Sequence, residues 1–308
     1  VRWPLADDEV GGQVALFGAA DLVGPQAGTG RLSGLEFLPV VARRIINSVP
    51  PGSRMPFRHT INVYRGCSHA CRYCFARPTH QYLGLNLGED FDRRIVVKIN
   101  AVERLVAELR DPGWAGETIA MGTNTDPYQR AEGKYRLTRG VVEVLAEHGN
   151  PFSILTKSGL VTRDLDLIAA GAARAAVSVS FSIGTLDEQV WRATEPGTPH
   201  PRRRLEAMRR CAEAGIPTGA LVAPVLPGLS DSAEQLAQIG AEVRAHGGRI
   251  LGVLPLHLRP GVREHFLAWL ADFDPALHAS YLRRYEGRIN APGPYAERVS
   301  ALVRGVTA

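Results

Sequence analysis

The chain is poor in cysteine. Only four occur in 308 residues, and three of them, Cys67, Cys71 and Cys74, fall within eight positions. So low a count excludes a small secreted scaffold stapled by disulfides. A cluster of three also leaves one thiol over if any two pair. Long hydrophobic runs are missing too. No stretch approaches the roughly 20 unbroken apolar residues of a membrane-spanning helix, so no membrane partner is expected. The first residues lack a basic start followed by an apolar run, so the sequence predicts no secretory signal and a cytoplasmic protein. Neither sign of charge dominates strongly: 36 Lys and Arg against 31 Asp and Glu give a net charge of +5. That balance is compatible with a polyanionic partner but does not require one. What is present, 45% hydrophobic and 22% charged residues, is an ordinary globular mixture. The length suits one large domain or two small ones.

Residues 1–55 show no repeat or period. Glycine and proline are frequent from Gly11 to Gly34, which predicts irregular structure. Residues 35–49 predict one short helix, and Pro50-Pro51-Gly52-Ser53 a turn. From residue 60 the pattern becomes regular. Strands are expected over 60–64, 95–97, 118–121, 152–155, 176–183, 218–225 and 250–256. Helices are expected over 100–110, 138–148, 163–170, 201–214 and 232–246. This alternation predicts parallel β/α units, and six are too few for a closed eight-stranded barrel. The expected fold is α/β, a partial (β/α)6 TIM-like barrel with an N-terminal extension (1–55) and a C-terminal helical cover (261–308); a doubly wound sheet is the alternative. The cover comprises helices over 262–272 and 295–303. Tyr281, Tyr285 and Tyr295 are read as core.

In parallel β/α folds, ligands sit at the carboxyl ends of the strands. The cysteines follow the first expected strand. Gly122-Thr123-Asn124-Thr125-Asp126-Pro127 follows a second, and Thr156-Lys157-Ser158-Gly159 a third. Ser180 lies inside the next strand and Ser182 near its end. Residues 224–228 and 257–261 follow the last two. The polar and glycine-rich clusters therefore gather on one rim.

The spacing Cys-x3-Cys-x2-Cys points to metal. Thiolates are the usual ligands of iron–sulfur clusters. One loop with this spacing wraps three corners of a cubane and leaves the fourth iron open, and an open position marks a catalytic metal site. Two other readings stay open. One is structural zinc, with His69 or His80 as fourth ligand. The other is a four-cysteine electron-transfer cluster completed by Cys211.

The segment Tyr64-Arg65-Gly66-Cys67-Ser68-His69-Ala70-Cys71-Arg72-Tyr73-Cys74-Phe75-Ala76-Arg77 resembles the signature of the radical S-adenosylmethionine (SAM) superfamily. Three further motifs, Thr125-Asp126-Pro127-Tyr128-Gln129, Thr156-Lys157-Ser158 and Glu195-Pro196 with Arg204-Leu205, resemble the spore photoproduct lyase-like branch, often labelled "DNA repair photolyase". The resemblance covers about residues 55–260, and 56–260 is expected to be the radical SAM core. It implies a [4Fe–4S] cluster on Cys67, Cys71 and Cys74, with SAM on the open iron. It implies reductive cleavage of SAM to methionine and a 5′-deoxyadenosyl radical, and an external electron donor of flavodoxin or ferredoxin type. Tyr73 would lie near the adenine. Thr123, Asn124, Thr125 and Asp126 occupy the rim where the family holds the SAM amino group and ribose. The family's Gly-Gly-Glu is absent there, and an Asx-type turn is the rival reading. Lys157 is a candidate partner of the SAM carboxylate, and Ser180 of the ribose or carboxylate. His69 is either a tuner of the cluster or an exposed loop residue, and Arg65, Arg72 and Arg77 either offset cluster charge or face solvent.

The lyase that names the branch repairs a thymine dimer with a cysteine as hydrogen donor, and this chain has no rim cysteine outside the cluster motif. Tyr128 and Tyr135 are candidate radical relays, with turn and core roles as the simpler readings. The basic run Arg202-Arg203-Arg204, with Arg209 and Arg210, is the candidate for nucleic-acid binding, but Glu206 and Glu213 interrupt its helical face. Two rival functions remain on sequence alone: a non-enzymatic metal-binding module, and a nucleic-acid-binding protein with a structural cluster.

Overall fold

The computed structural model describes residues 23–305 apart from Pro51 and Arg54. It divides into two compact units. The first takes in residues up to Ser68, Thr79–Thr156 and Leu160–Val179. The second takes in His69–Pro78, Lys157–Gly159 and the chain from Ser180 onward. The stretch expected to be irregular from Gly11 lies partly outside the described residues, as does Pro51 of the expected turn. In that turn the Ser53 amide donates to the Pro50 carbonyl.

The first unit contains β1 (Gln26–Ala27), β2 (Glu36–Val40), β3 (Ile46–Ser48), β4 (His59–Ile61), β5 (Tyr64–Arg65), α1 (Glu89–Arg93), β6 (Arg94–Lys98), α2 (Ala101–Leu109), β7 (Ile119–Met121), α3 (Glu132–Tyr135), α4 (Leu137–Glu147), β8 (Phe152–Thr156), α5 (Leu165–Ala172) and the start of β9 (Val177–Ser182). One sheet has the order β1-β2-β6-β5; in the other, β8-β7-β4-β3 lie side by side. β4, β7 and β8 run parallel, with Ile61 opposite Met121 and Met121 opposite Ile154. α4 buries Leu137, Val141, Val142, Val144 and Leu145, a helical stripe that faces the core.

Two expectations fail in this unit. Residues 35–49 form no helix. They form β2 and β3, because Pro39 removes a helical donor and β2 pairs with β6 in full register from Glu36–Arg94 to Val40–Lys98. Side chains claim amides between β2 and β3 and the first amide of β3. Asn100 Oδ1 accepts from Ala42 at 2.7 Å, and the Glu108 carboxylate accepts from Ile45 at 2.8 Å and Ile46 at 2.9 Å. The strand expected over 60–64 is also two strands. β4 joins one sheet and β5 the other.

The second unit contains the end of β9, α6 (Glu188–Thr194), α7 (Pro201–Glu213), β10 (Thr218–Val225), α8 (Ala233–Ala245), β11 (Arg249–Pro255), α9 (Val262–Phe273), α10 (Pro275–Arg284) and α11 (Gly293–Arg304). The strand order is β11-β10-β9, and β10 and β11 are parallel. α7 starts with Pro201 in its first turn, where a missing N–H costs nothing. α8 starts with a capping box from Ser232 and Gln235. The helices α6 and α10 were not foreseen, yet each carries a start signal. Asp187 accepts from the Val190 amide at 2.9 Å and Asp274 from the Leu277 amide at 2.9 Å. Helices follow parallel strands through both units, which is the α/β pattern of a partial TIM-like barrel.

The core of the second unit sets up the site. Phe266, Leu267 and Leu270 of α9 and Tyr281 and Tyr285 of the C-terminal helical segment pack in one apolar cluster with Cys71 and Tyr73. Tyr281, Tyr285 and Tyr295 are all buried, as expected. Among the described residues, no helix is long and apolar enough to cross a membrane.

Candidate active site

β5 delivers the chain to Gly66, which has φ +81°. A Cβ there would meet His80 Cε1 at 2.8 Å and the Phe91 carbonyl at 3.0 Å, so glycine alone lets the chain turn into the cysteine loop. The Cys67 amide then donates to the Phe91 carbonyl at 2.9 Å. The fully buried Gln129 grips both neighbours of Cys67. Its Nε2 donates to the Gly66 carbonyl at 3.0 Å, and its Oε1 accepts from the Ser68 amide at 2.9 Å. Thr125 Oγ1 donates to the same Gly66 carbonyl at 2.6 Å and accepts from Gln129 Nε2 at 2.9 Å. A primary amide fits this role because it has a donor and an acceptor side by side, like the peptide groups it faces.

The rest of the loop belongs to the second unit and is laced to the end of α6. The Arg72 amide donates to the Thr194 carbonyl at 2.9 Å, and the Gly197 amide to the His69 carbonyl at 3.0 Å. The guanidinium of the fully buried Arg77 donates to the Cys71 carbonyl from Nε at 3.0 Å and from its second amino group at 2.9 Å. Tyr73 donates its hydroxyl to the Glu195 carboxylate. Glu195 is 1% exposed and pairs with two cations: Lys157 Nζ at 3.0 Å, and Arg204. Lys157 also donates to Ser182 Oγ at 2.8 Å and lies 5.6 Å from the centre of the Tyr73 ring. Arg204 donates to the Ser182 carbonyl at 2.9 Å and to Thr198 Oγ1 at 2.9 Å. Burial by itself would raise the Glu195 carboxyl, but Arg204 and Lys157 reverse that and hold it well below the usual carboxylate range. Burial, reinforced by Glu195, holds the Tyr73 hydroxyl protonated.

The segment after β7 is an Asx-type turn. Gly122 has φ +87°, and a Cβ there would lie 1.9 Å from the Leu155 carbonyl oxygen. Asp126 Oδ1 accepts from the Tyr128 amide at 2.9 Å and from Thr156 Oγ1 at 2.7 Å. Asn62 donates to Thr123 Oγ1 at 3.3 Å and accepts from the Asn124 amide at 3.1 Å. Thr123, Asn124 and Asp126 are half-buried, whereas Thr125 is buried on Gly66. Ser180 is half-buried inside β9, and Ser182 at its end carries the polar contacts.

Other sequence readings resolve residue by residue. His69 is buried, not an exposed loop residue. His80 is fully buried, has Nε2 at 2.9 Å from the Arg94 carbonyl and lies edge-on to Phe91. All four cysteines are thiols. Cys211 lies in the buried interior of α7, where burial pushes its thiol up to about 12, an environment that opposes a thiolate ligand. Zinc needs its donors around one ion, and among the described residues no three His, Cys, Asp or Glu side chains converge that way. Three thiols on one loop are donors of the kind that iron–sulfur clusters use. Tyr128 is buried, and the half-buried Tyr135 donates to Gln26 Oε1 at 3.1 Å. The basic run divides between the interior and the surface of α7. Arg204 points inward, and Arg209 is paired with Glu206 and Glu213 on the exposed face of α7.

From sequence, Gln129 and Glu195 carry no assigned role and Arg204 is read only within the candidate nucleic-acid run, although all three lie in the motifs that carry the resemblance. A glutamate before proline and an arginine before an apolar residue carry no periodic signal. Their function depends on burial.

The chain is 47% identical over 277 residues to an uncharacterized protein of Mycobacterium tuberculosis (strain ATCC 25618 / H37Rv), covering 89% of this chain and 82% of that one. A serine-for-cysteine variant of spore photoproduct lyase has a similar fold, with a TM-score of 0.63 at 18% identity over 88% of this chain and 78% of that one. A second variant of that lyase, with bound AdoMet and dinucleoside spore photoproduct, gives a TM-score of 0.61 at 16% identity over the same shares. The radical SAM superfamily family model matches residues 61–239. The chain belongs to the radical SAM superfamily, whose enzymes work with SAM and an iron–sulfur cluster.

Proposed function

We propose that this protein binds a [4Fe–4S] cluster through Cys67, Cys71 and Cys74 and cleaves SAM reductively at that cluster. The observation that carries the reading is the cysteine loop itself: three thiols on one loop whose backbone is pinned on either side of Cys67 by Gln129. When bound, the cluster and SAM supply a 5′-deoxyadenosyl radical that removes a hydrogen atom from substrate. The chain's part is to hold the loop, seat SAM and keep water away. In the second unit, Tyr73, Lys157 and Ser180 are the residues proposed to face SAM. In the first, Thr123, Asn124 and Asp126 are proposed, with Thr125 acting through the Gly66 carbonyl. Residues 56–260 are proposed as the chemical core, with 1–55 as an extension and 261–308 as a cover. A flavodoxin- or ferredoxin-type protein would deliver the electron.

A nucleic-acid substrate is proposed first, because the solved lyase of similar fold holds a dinucleoside photoproduct. Photoproduct repair by a cysteine hydrogen donor is not proposed, since the fourth cysteine, Cys211, is buried in α7. Anaerobic reconstitution followed by reduction should yield 5′-deoxyadenosine and methionine from SAM. Failure of a fully loaded protein to cleave SAM would sink the reading. Repeating the assay with DNA and RNA, and following substrate-dependent product formation, tests the substrate class.

A further inference from the structure

We propose that Glu195 and its two buried cations, Lys157 and Arg204, tune the reduction potential of the cluster. This rests on the reading of Cys71 and Cys74 as cluster ligands. The Glu195 carboxylate acts to lower the potential, and the Lys157 and Arg204 cations act to raise it.

Three observations carry this. First, the trio is held against the cysteine loop. Tyr73, between Cys71 and Cys74, donates to the Glu195 carboxylate, and backbone bonds from Arg72 to Thr194 and from Gly197 to His69 lace the same α6 terminus to the loop. Second, the charges are shielded from water. Side-chain exposure is 2% for Glu195, 0% for Arg204 and 14% for Lys157. A charge in such surroundings acts over a longer range and is little screened by salt. Third, Tyr73 and Cys71 share one apolar cluster with α9 residues Phe266, Leu267 and Leu270, which keeps the medium around the loop apolar. The potential of an iron–sulfur cluster follows local charge, hydrogen bonding and solvent exposure. A carboxylate one hydrogen bond from the loop disfavours adding an electron, and a cation favours it.

The sign of the effect separates tuning from mere support. The wild type, Glu195→Gln and Lys157→Gln are reconstituted anaerobically and titrated redox-metrically without SAM, with the reduced cluster followed by electron paramagnetic resonance. Iron and sulfide are measured in every sample. Glu195→Gln should raise the midpoint and Lys157→Gln should lower it, each by about tenfold in the reduction equilibrium, roughly 59 mV for a one-electron couple. If Glu195→Gln does not fold, Lys157→Glu replaces it and should lower the midpoint further than Lys157→Gln. Fully loaded variants with unchanged midpoints, or with shifts of the same sign in Glu195→Gln and Lys157→Gln, overturn the inference alone. A wild-type protein that takes up no iron overturns the underlying reading and this inference with it.

Discussion

At the scale of the residue, the site depends on polar side chains that hold backbone. Gln129 is the clearest case, because its amide complements the peptide groups on both sides of Cys67. Gln129→Glu preserves shape but turns the donor that meets the Gly66 carbonyl into an acceptor. The reconstituted variant should bind less iron than wild type while its circular dichroism is unchanged. Full iron content would show that the clamp is dispensable. His80 gives a pH prediction. Burial, with Arg65 adding to it, pulls its imidazole down to about 4, against the partial opposition of the hydrogen bond to the Arg94 carbonyl. The folded state therefore keeps His80 neutral where the unfolded chain, with a value near 6.5, takes up a proton. This contribution to stability is complete above about pH 6.5. It falls as pH drops towards 4, with a slope approaching about 1.4 kcal/mol per pH unit. Urea denaturation between those limits should show that slope in the wild type and its reduction in His80→Gln.

At the scale of the element, the turn into the cysteine loop and the interior of α7 matter most. Gly66→Ala adds a Cβ at positive φ against His80 and Phe91. We expect a loss of about 1–3 kcal/mol together with loss of cluster binding, read by thermal melting and iron analysis. Along α7 the arginines differ sharply. Arg204→Met strips a buried carboxylate of one partner and should cost about 3–5 kcal/mol. Arg209→Ala breaks only exposed pairs and should leave the denaturation midpoint unchanged. The parallel strands and their helices were legible because apolar periodicity and turn residues mark them locally. Residues 35–49 were misread as a helix because their partners, β6 and the side chains of Asn100 and Glu108, lie some sixty residues away. No local pattern encodes such a pairing.

At the scale of the whole chain, each unit has its own core, and that of the second extends from the C-terminal helices to the cysteine loop. Helices read from sequence as a cover thus form the apolar wall behind Cys71 and Tyr73. Phe266→Ala should cost about 3–5 kcal/mol. It should also raise the rate at which a reconstituted cluster loses iron to a chelator, because the loop loses part of its wall. An unchanged rate would make α9 a passive cap.

The sequence by itself determined the α/β class, the order of the main elements and the cysteine motif. Each is written in short-range spacing: alternation of two, a helical period of 3.6, or thiols three and four residues apart. It also identified the segments that carry Gln129, Glu195 and Arg204, without saying that those residues hold the cysteine loop and its neighbours. Tertiary structure decided their roles. A carboxylate becomes a site residue only when folding removes it from water and brings Tyr73, Lys157 and Arg204 to it, and desolvation is a property of the packed chain, not of any local stretch. Packing likewise closes Cys211 inside α7.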